Sequence, residues 1–209
     1  MAYILGYFAA DGCMYKNPRG SCYISFTSSD LELIQLVKEI LKASNNIESY
    51  QPKQPNQNLR YTLQIGSKVI FNKFLELGFT PAKSLKLAFP LIPEELINHF
   101  IRGYLDGDGC AGFYRLQRKD RKKKYLFLTI QFRCGSKEFI ETLKQKLLVL
   151  GGISHGVLSF HSRAYALAYI GPSVVKLYRF LYPKINLPCL WRKKLILKNG
   201  ILEKYGIEV

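Results

Sequence analysis

The apolar and polar positions of the chain switch between helical and strand periods, and they do so twice in the same order. The opening dozen residues are mostly apolar and read as a helix. Cys13 to Lys16 and Ser21 to Thr27 then read as a hairpin around the turn Asn17-Pro18-Arg19-Gly20. In its second strand Cys22, Ile24 and Phe26 alternate with Tyr23, Ser25 and Thr27. Ser29 or Asp30 is placed to cap a helix over Leu31 to Lys42, with Leu33, Leu36, Val37, Ile40 and Leu41 as its apolar stripe. A second hairpin joins Ile47 to Gln51 with Leu59 to Ile65, where Tyr61, Leu63 and Ile65 alternate with Arg60, Thr62 and Gln64. A helix over Lys68 to Leu77 stops at Gly78.

The prolines at 81, 90 and 93 break helices and suit an extended connection over Phe79 to Pro93. The same order then resumes. A helix is expected over Pro93 to Gly107, and strands over Gly112 to Leu116 and Tyr125 to Arg133. A helix follows from Lys137 to Leu150, with Ser136 as N-cap and Gly151-Gly152 as stop. Strands over Val157 to Phe160 and Tyr165 to Tyr169, a helix over Ser173 to Leu181 and a last one over Leu190 to Lys198 complete the chain. The fold class is therefore α+β, as two αββαββα repeats: 1–80, a linker 81–93, and 94–209. In each repeat the antiparallel sheet has an apolar face under helices and a polar face toward solvent.

One nine-residue stretch anchors both halves. It runs Ile4-Leu5-Gly6-Tyr7-Phe8-Ala9-Ala10-Asp11-Gly12 and returns as Ile101-Arg102-Gly103-Tyr104-Leu105-Asp106-Gly107-Asp108-Gly109, 97 residues later. Gly6 with Ala10, and Gly103 with Gly107, stand four apart and share a helix face, so two backbones can approach closely there. Glycine inside a helix costs about 1 kcal/mol against alanine, which close packing of the copies would offset. The helices are expected to end at Gly12 and Gly109 as C-caps. Asp11 and Asp108 then meet two partly negative helix ends, an arrangement that suits divalent cations. A single Asp-Gly would be an ordinary turn signal; two in matched context point to a shared site.

These two nonamers resemble the defining signature of the LAGLIDADG homing endonucleases in their single-chain, two-repeat form. Lys83-Ser84, Phe89-Pro90 and Ile92-Pro93 before the second copy are similar to that family as well. The resemblance implies pseudo-two-fold symmetry, signature helices packed against each other, and two sheets forming a saddle over double-stranded DNA. It further implies a nuclease that recognises a long asymmetric target and hydrolyses one phosphodiester per strand, leaving short 3′ overhangs. Asp11 and Asp108 would hold Mg2+, helped by the carbonyls of Ala10 and Gly107. Mn2+ would substitute, and Ca2+ would bind without supporting cleavage. Lys83 and Lys193 would assist as the basic residue of each half.

On the DNA side the expected contacts of the first hairpin are Lys16, Arg19, Tyr23, Ser25 and Thr27. Those of the second are Gln51, Lys53, Gln54, Asn56, Arg60, Thr62 and Gln64. In the second half they are Arg115, Gln117, Arg118, Lys119, Arg121 and Lys123 at a basic hairpin tip, Thr129, Gln131 and Arg133 on the following strand, and Ser159, His161 and Arg163. Arg and Lys suit guanine, Asn and Gln suit adenine, and Ser and Thr either base.

Charge agrees with a polyanionic partner. The 209 residues carry 31 Lys and Arg against 15 Asp and Glu, a net charge of +16. Residues 115–124 alone hold seven basic residues and one acidic; at a hairpin tip they are expected to reach phosphates. No run of about 18 apolar residues suggests a membrane span, and the start lacks the basic region of a signal peptide. Five cysteines without CxxC or zinc spacing read as reduced thiols of an intracellular protein, and the resemblance implies a monomer working with DNA. Two alternatives remain open: a nucleic-acid-binding relative that has lost cleavage, such as an intron maturase, and a basic structural protein of a ribonucleoprotein.

Overall fold

The computed structural model describes residues 1–52, 58–81, 85–117 and 124–209. The first repeat runs α1 (Ala2–Asp11), β1 (Gly12–Lys16), β2 (Cys22–Ser28), α2 (Leu31–Leu41), β3 (Ile47–Tyr50), β4 (Arg60–Gly66) and α3 (Lys68–Glu76). A 3-10 turn, Glu94–Leu96, leads into the second: α4 (Ile97–Asp106), β5 (Cys110–Leu116), β6 (Tyr125–Cys134), α5 (Lys137–Gly151), β7 (Val157–His161), β8 (Ala164–Ile170) and α6 (Pro172–Leu181). One further helix, α7 (Trp191–Tyr205), follows. Both sheets are antiparallel with the same strand order, β1-β2-β4-β3 and β5-β6-β8-β7.

Strand alternation sets the layers. Cys22, Ile24 and Phe26 of β2, and Leu128, Ile130 and Phe132 of β6, are buried under helices while their neighbours face out. Aromatic rings dominate each core, where they bury large areas and favour edge contacts. Phe8 meets Phe26, Phe74 and Phe79 edge-on in the first repeat. Phe139 packs against Phe89, Phe100 and Tyr104 in the second. All five cysteines are free thiols.

Several boundaries differ from expectation for physical reasons. The second signature helix ends at Asp106, earlier than expected. Neither Gly12 nor Gly109 is a left-handed cap; Gly12 is extended and opens β1. A Cβ at Gly12 would lie 2.1 Å from the Phe8 ring, and one at Gly109 2.5 Å from Leu105, so these glycines let the chain fold back over the preceding turn. Asp30 occupies the N-cap of α2 without capping through its side chain. Helix α7 runs on past Lys198 because Gly200 is buried against Leu128 and Phe113, where a Cβ would come within 3.0 Å. There, close approach to the sheet outweighs the helix-breaking tendency of glycine.

Candidate metal centre and nucleic-acid interface

The two signature helices touch backbone to backbone. A Cβ on Gly6 would stand 1.8 Å from the Phe100 carbonyl oxygen, and one on Gly103 2.0 Å from that of Tyr3. The contact is reciprocal, as a two-fold pair requires. Each helix is also tied to its own sheet at matching positions. The Tyr7 hydroxyl donates to the Thr27 carbonyl (2.9 Å) and the Tyr104 hydroxyl to that of Arg133 (2.6 Å). Asp11 and Asp108 consequently leave the helix pair where the two sheets begin, and both are exposed. Burial is the main cause that raises the pKa of Tyr7 and of Tyr104, and both Asp11 and Asp108 push each of them further. Each carboxylate therefore lies within electrostatic range of both tyrosines.

An open cavity of about 450 Å3 lies beside Asp11, lined also by Gly107, Asp106, Lys193, Thr27, Asp30, Arg60 and Arg192. Gly107 keeps it open: a Cβ there would meet the Ala10 Cβ at 2.5 Å and Asp11 Oδ2 at 3.2 Å. Carboxylate and backbone oxygens are hard donors that suit Mg2+ or Ca2+. Among the described residues no group of three or more His, Cys, Asp and Glu side chains could cage a metal by itself. The donor set fits an ion that keeps waters and completes its shell with a phosphate.

Lys193 stands at this centre in an unforeseen role. Its side chain is buried, and Nζ donates to the carbonyls of Leu105 (2.8 Å), Asp106 (2.8 Å), Gly107 (3.1 Å) and Gly109 (2.7 Å). A positive charge on the last carbonyls of a helix satisfies groups that otherwise lack partners and opposes the negative helix end. Desolvation lowers its pKa, opposed by Asp106. Lys83, its expected counterpart, lies outside the described residues.

Two further buried groups escaped the sequence reading. Asp106 accepts from the Tyr3 hydroxyl (2.8 Å) and the Leu190 amide (2.7 Å) through Oδ2, and burial pushes its pKa up to about 6. Arg102 is wholly buried, donating to the carbonyls of Pro188 (2.9 Å) and Leu181 (2.7 Å) and contacting His99 Nδ1 (2.7 Å). Together with Lys193 they hold the segment between α6 and α7 against α4. Arg192 then clasps Asp30 with two hydrogen bonds (3.0 and 2.7 Å), tying α7 to the first repeat. Nothing local in the sequence marks these long-range pairs.

The outward faces carry many of the expected nucleic-acid contacts. Residues paired across antiparallel strands share a face. On the first sheet Tyr23, Ser25 and Thr27 of β2 lie with Arg60, Thr62 and Gln64 of β4, and the Thr27 and Thr62 hydroxyls meet at 3.0 Å. On the second, Thr129, Gln131 and Arg133 of β6 share a face with Ser159 and His161 of β7. Arg19 sits in the exposed first turn, Gln51 and Gln117 just past strand ends, and Arg163 in a turn where it and Ser162 are both left-handed.

Two assignments need correction. Lys16 pairs with Cys22 and Arg115 with Leu126, which puts both on the helix side of their sheets. The Arg115 guanidinium is engaged there by Glu203 of α7 (2.7 Å). Lys53, Gln54, Asn56, Arg118, Lys119, Arg121 and Lys123 lie outside the described residues. Facing Gln131 and Arg133, the second sheet presents not polar side chains but Ala168 and Ala166.

Comparison with known proteins places this geometry. Residues 1–77 match the family model of the LAGLIDADG-like domain. The whole fold is similar to that of the LAGLIDADG meganuclease I-AabMI bound to uncleaved DNA, at TM-score 0.62 and 14% identity over 97% of this chain and 89% of that one. It is similar to I-SmaMI bound to an uncleaved DNA target in the presence of calcium ions, at TM-score 0.61 and 14% identity over 98% and 92%. It is also similar to the homing endonuclease I-WcaI bound to its DNA recognition sequence, at TM-score 0.64 and 13% identity over 94% and 84%. One polypeptide of the A-type ATP synthase of Methanopyrus kandleri is 31% identical over 107 residues, which are 51% of this chain and 10% of that protein. The chain thus spans about a tenth of the length of this curated relative. Among the described residues no helix is long and apolar enough to cross a membrane.

Proposed function

We propose that the chain, whose residues 1–77 match the LAGLIDADG-like domain and whose whole fold is similar to those of two-repeat LAGLIDADG nucleases, is a member of that family and a metal-dependent, site-specific double-strand DNA endonuclease acting as a monomer. The observation that supports the reading is the reciprocal glycine contact of the two signature helices, at whose ends Asp11 and Asp108 are both exposed. One chain supplies both carboxylates, so no second copy is needed. Because the two faces differ in sequence, the target is asymmetric.

Asp11 and Asp108, with the carbonyls of Ala10 and Gly107, would hold the divalent metal, Mg2+ first and Mn2+ as substitute. When bound, it acidifies an attacking water and neutralises charge on the leaving 3′ oxygen of each strand. The protein's own outward faces place the DNA over the centre. Thr27, Arg60, Thr62 and Gln64 on one sheet and Gln131 and Arg133 on the other meet the grooves on either side of the centre. Lys193 holds the carbonyl of Gly107 in position rather than moving a proton, since its ammonium hydrogens already lie on backbone oxygens.

The test is cleavage of a randomised plasmid library with Mg2+, followed by the same assay with Asp11→Asn and Asp108→Asn. Each substitution is expected to lower cleavage of the selected target at least a hundredfold, about 2.7 kcal/mol in the barrier, with DNA affinity retained. Near-normal cleavage by Asp108→Asn overturns the assignment. Tight binding by the wild type without cleavage favours the alternative of a relative that has lost its nuclease.

A further inference from the structure

The two outward sheet faces can be superposed position by position. The matched ties Tyr7–Thr27 and Tyr104–Arg133 make Thr27 and Arg133 equivalent, and the strand registers carry the correspondence onward. Where β4 presents Arg60, Thr62 and Gln64, β8 presents Ala164, Ala166 and Ala168. Opposite Ala168, on β7, stands Val157, which is 58% exposed. Two residues beyond Ala168 is Ile170, 46% exposed. The neighbouring Thr129, opposite Ile170, has its hydroxyl engaged by the Tyr169 carbonyl at 3.1 Å. The second sheet therefore sets an apolar strip of Val157, Ala168 and Ile170 directly beside the polar pair Gln131 and Arg133. On the first sheet Gln64 stands at the place of Ala168, and Gly66, which has no side chain, at that of Ile170.

In the major groove each base edge offers hydrogen-bond donors and acceptors, and the C5-methyl group of a pyrimidine is the apolar feature among them. An exposed strip of two β-branched residues and an alanine matches that feature, while the side chains of β4 match the polar ones. We infer that the second repeat reads its half of the target through pyrimidine C5-methyl groups met by Val157, Ala168 and Ile170, whereas the first repeat reads by hydrogen bonds. The inference rests on the proposed DNA-binding function and specifies what half of the target contains. Thymine and 5-methylcytosine both carry the methyl group, so the contact tolerates either.

The experiment uses the full chain and its selected target. All thymines of one half-site, then of the other, are replaced by deoxyuridine, which removes the methyl and keeps the pairing. Loss of one buried methyl group corresponds to about a fourfold drop in affinity. Uracil in one half is expected to weaken binding by about that factor per contacted thymine, and uracil in the other half by less than twofold in all. Ala168→Gln, which copies Gln64, must change base preference in the uracil-sensitive half and nowhere else. At a cytosine tolerated in that half, 5-methylation is expected to tighten binding about fourfold. Equal sensitivity of the two halves, no sensitivity in either, or an Ala168→Gln effect in the insensitive half each overturns the inference while leaving DNA binding intact. Failure to select any bound or cleaved DNA overturns the proposed function itself, and this reading with it.

Discussion

Helices α1 and α4 occupy equivalent places and make the same contact, yet they are built differently. Both put a glycine against the partner's backbone, and both anchor a tyrosine on their own sheet. Helix α1 is otherwise apolar, with Leu5 and Ala9 buried where α4 has Arg102 and Asp106. In α4 these charged groups grip the segment 181–190, which leads into α7. Among the described residues the first repeat has no helix after α3 that would need such a grip. The difference separates two duties. Symmetric residues set the position of the centre, and asymmetric ones fasten what only the second repeat possesses.

The largest expected effect tests the asymmetric part. Arg102→Leu makes α4 resemble α1, but it leaves the carbonyls of Leu181 and Pro188 without their donor and Asp106 with Lys193 but without Arg102 as a nearby cation. It should cost about 3–5 kcal/mol, as breaking a buried charge network does. Urea denaturation of wild type and variant measures it, and an unchanged midpoint would mean that the arginine is not holding this segment. Next come Gly6→Ala and Gly103→Ala. Each would press a methyl into a carbonyl of the facing helix, so each should lose about 3 kcal/mol, the upper end of ordinary overpacking costs. Because the contact is reciprocal, the two losses should agree closely. A thermal melt in which one variant is tolerated and the other is not would break the symmetry argument.

The smallest effects concern the sheet faces and are read in specificity rather than stability. Gln64→Ala and Gln131→Ala should each relax preference at one or two base pairs by about 1–3 kcal/mol, in opposite halves of the target. Neither removes a phosphate contact, so the slope of affinity against salt should stay constant. Profiles over all single-base target variants check this. Changes falling in the same half would show that the sheets do not divide the site between them.

Much of the architecture was legible because it repeats at short range. The nonamers, the stripe of small residues and the strand alternation lie in local periods, and the register that follows fixed Gln64 and Gln131 on outward faces. What was hidden depends on partners far along the chain. Lys193 reads as one more lysine of a basic protein until folding brings it under four carbonyls at the end of α4. Asp106 stands where the first nonamer has Ala9, and only its burial beside Tyr3 and Leu190 gives it a part. Asp30 has the sequence of a helix cap, but its carboxylate finds Arg192 instead. Arg115 belongs to a basic run whose charge pointed to phosphates; strand parity turned it under the sheet. In each case a long-range ion pair or hydrogen bond outweighed the local preference that the sequence displays.

The four carbonyls gathered by Lys193 have a consequence during synthesis. Both acidic residues and both signature helices have left the ribosome well before residue 193 is added, yet the end of α4 still lacks the cation that steadies it. Until α7 is added, a growing chain can pair its signature helices only with the end of α4 unsecured. A product truncated before α7 would lack that cation together with the buried Leu197 and Ile201 of the second core. Securing the end of α4 is thus left to the last helix described, α7.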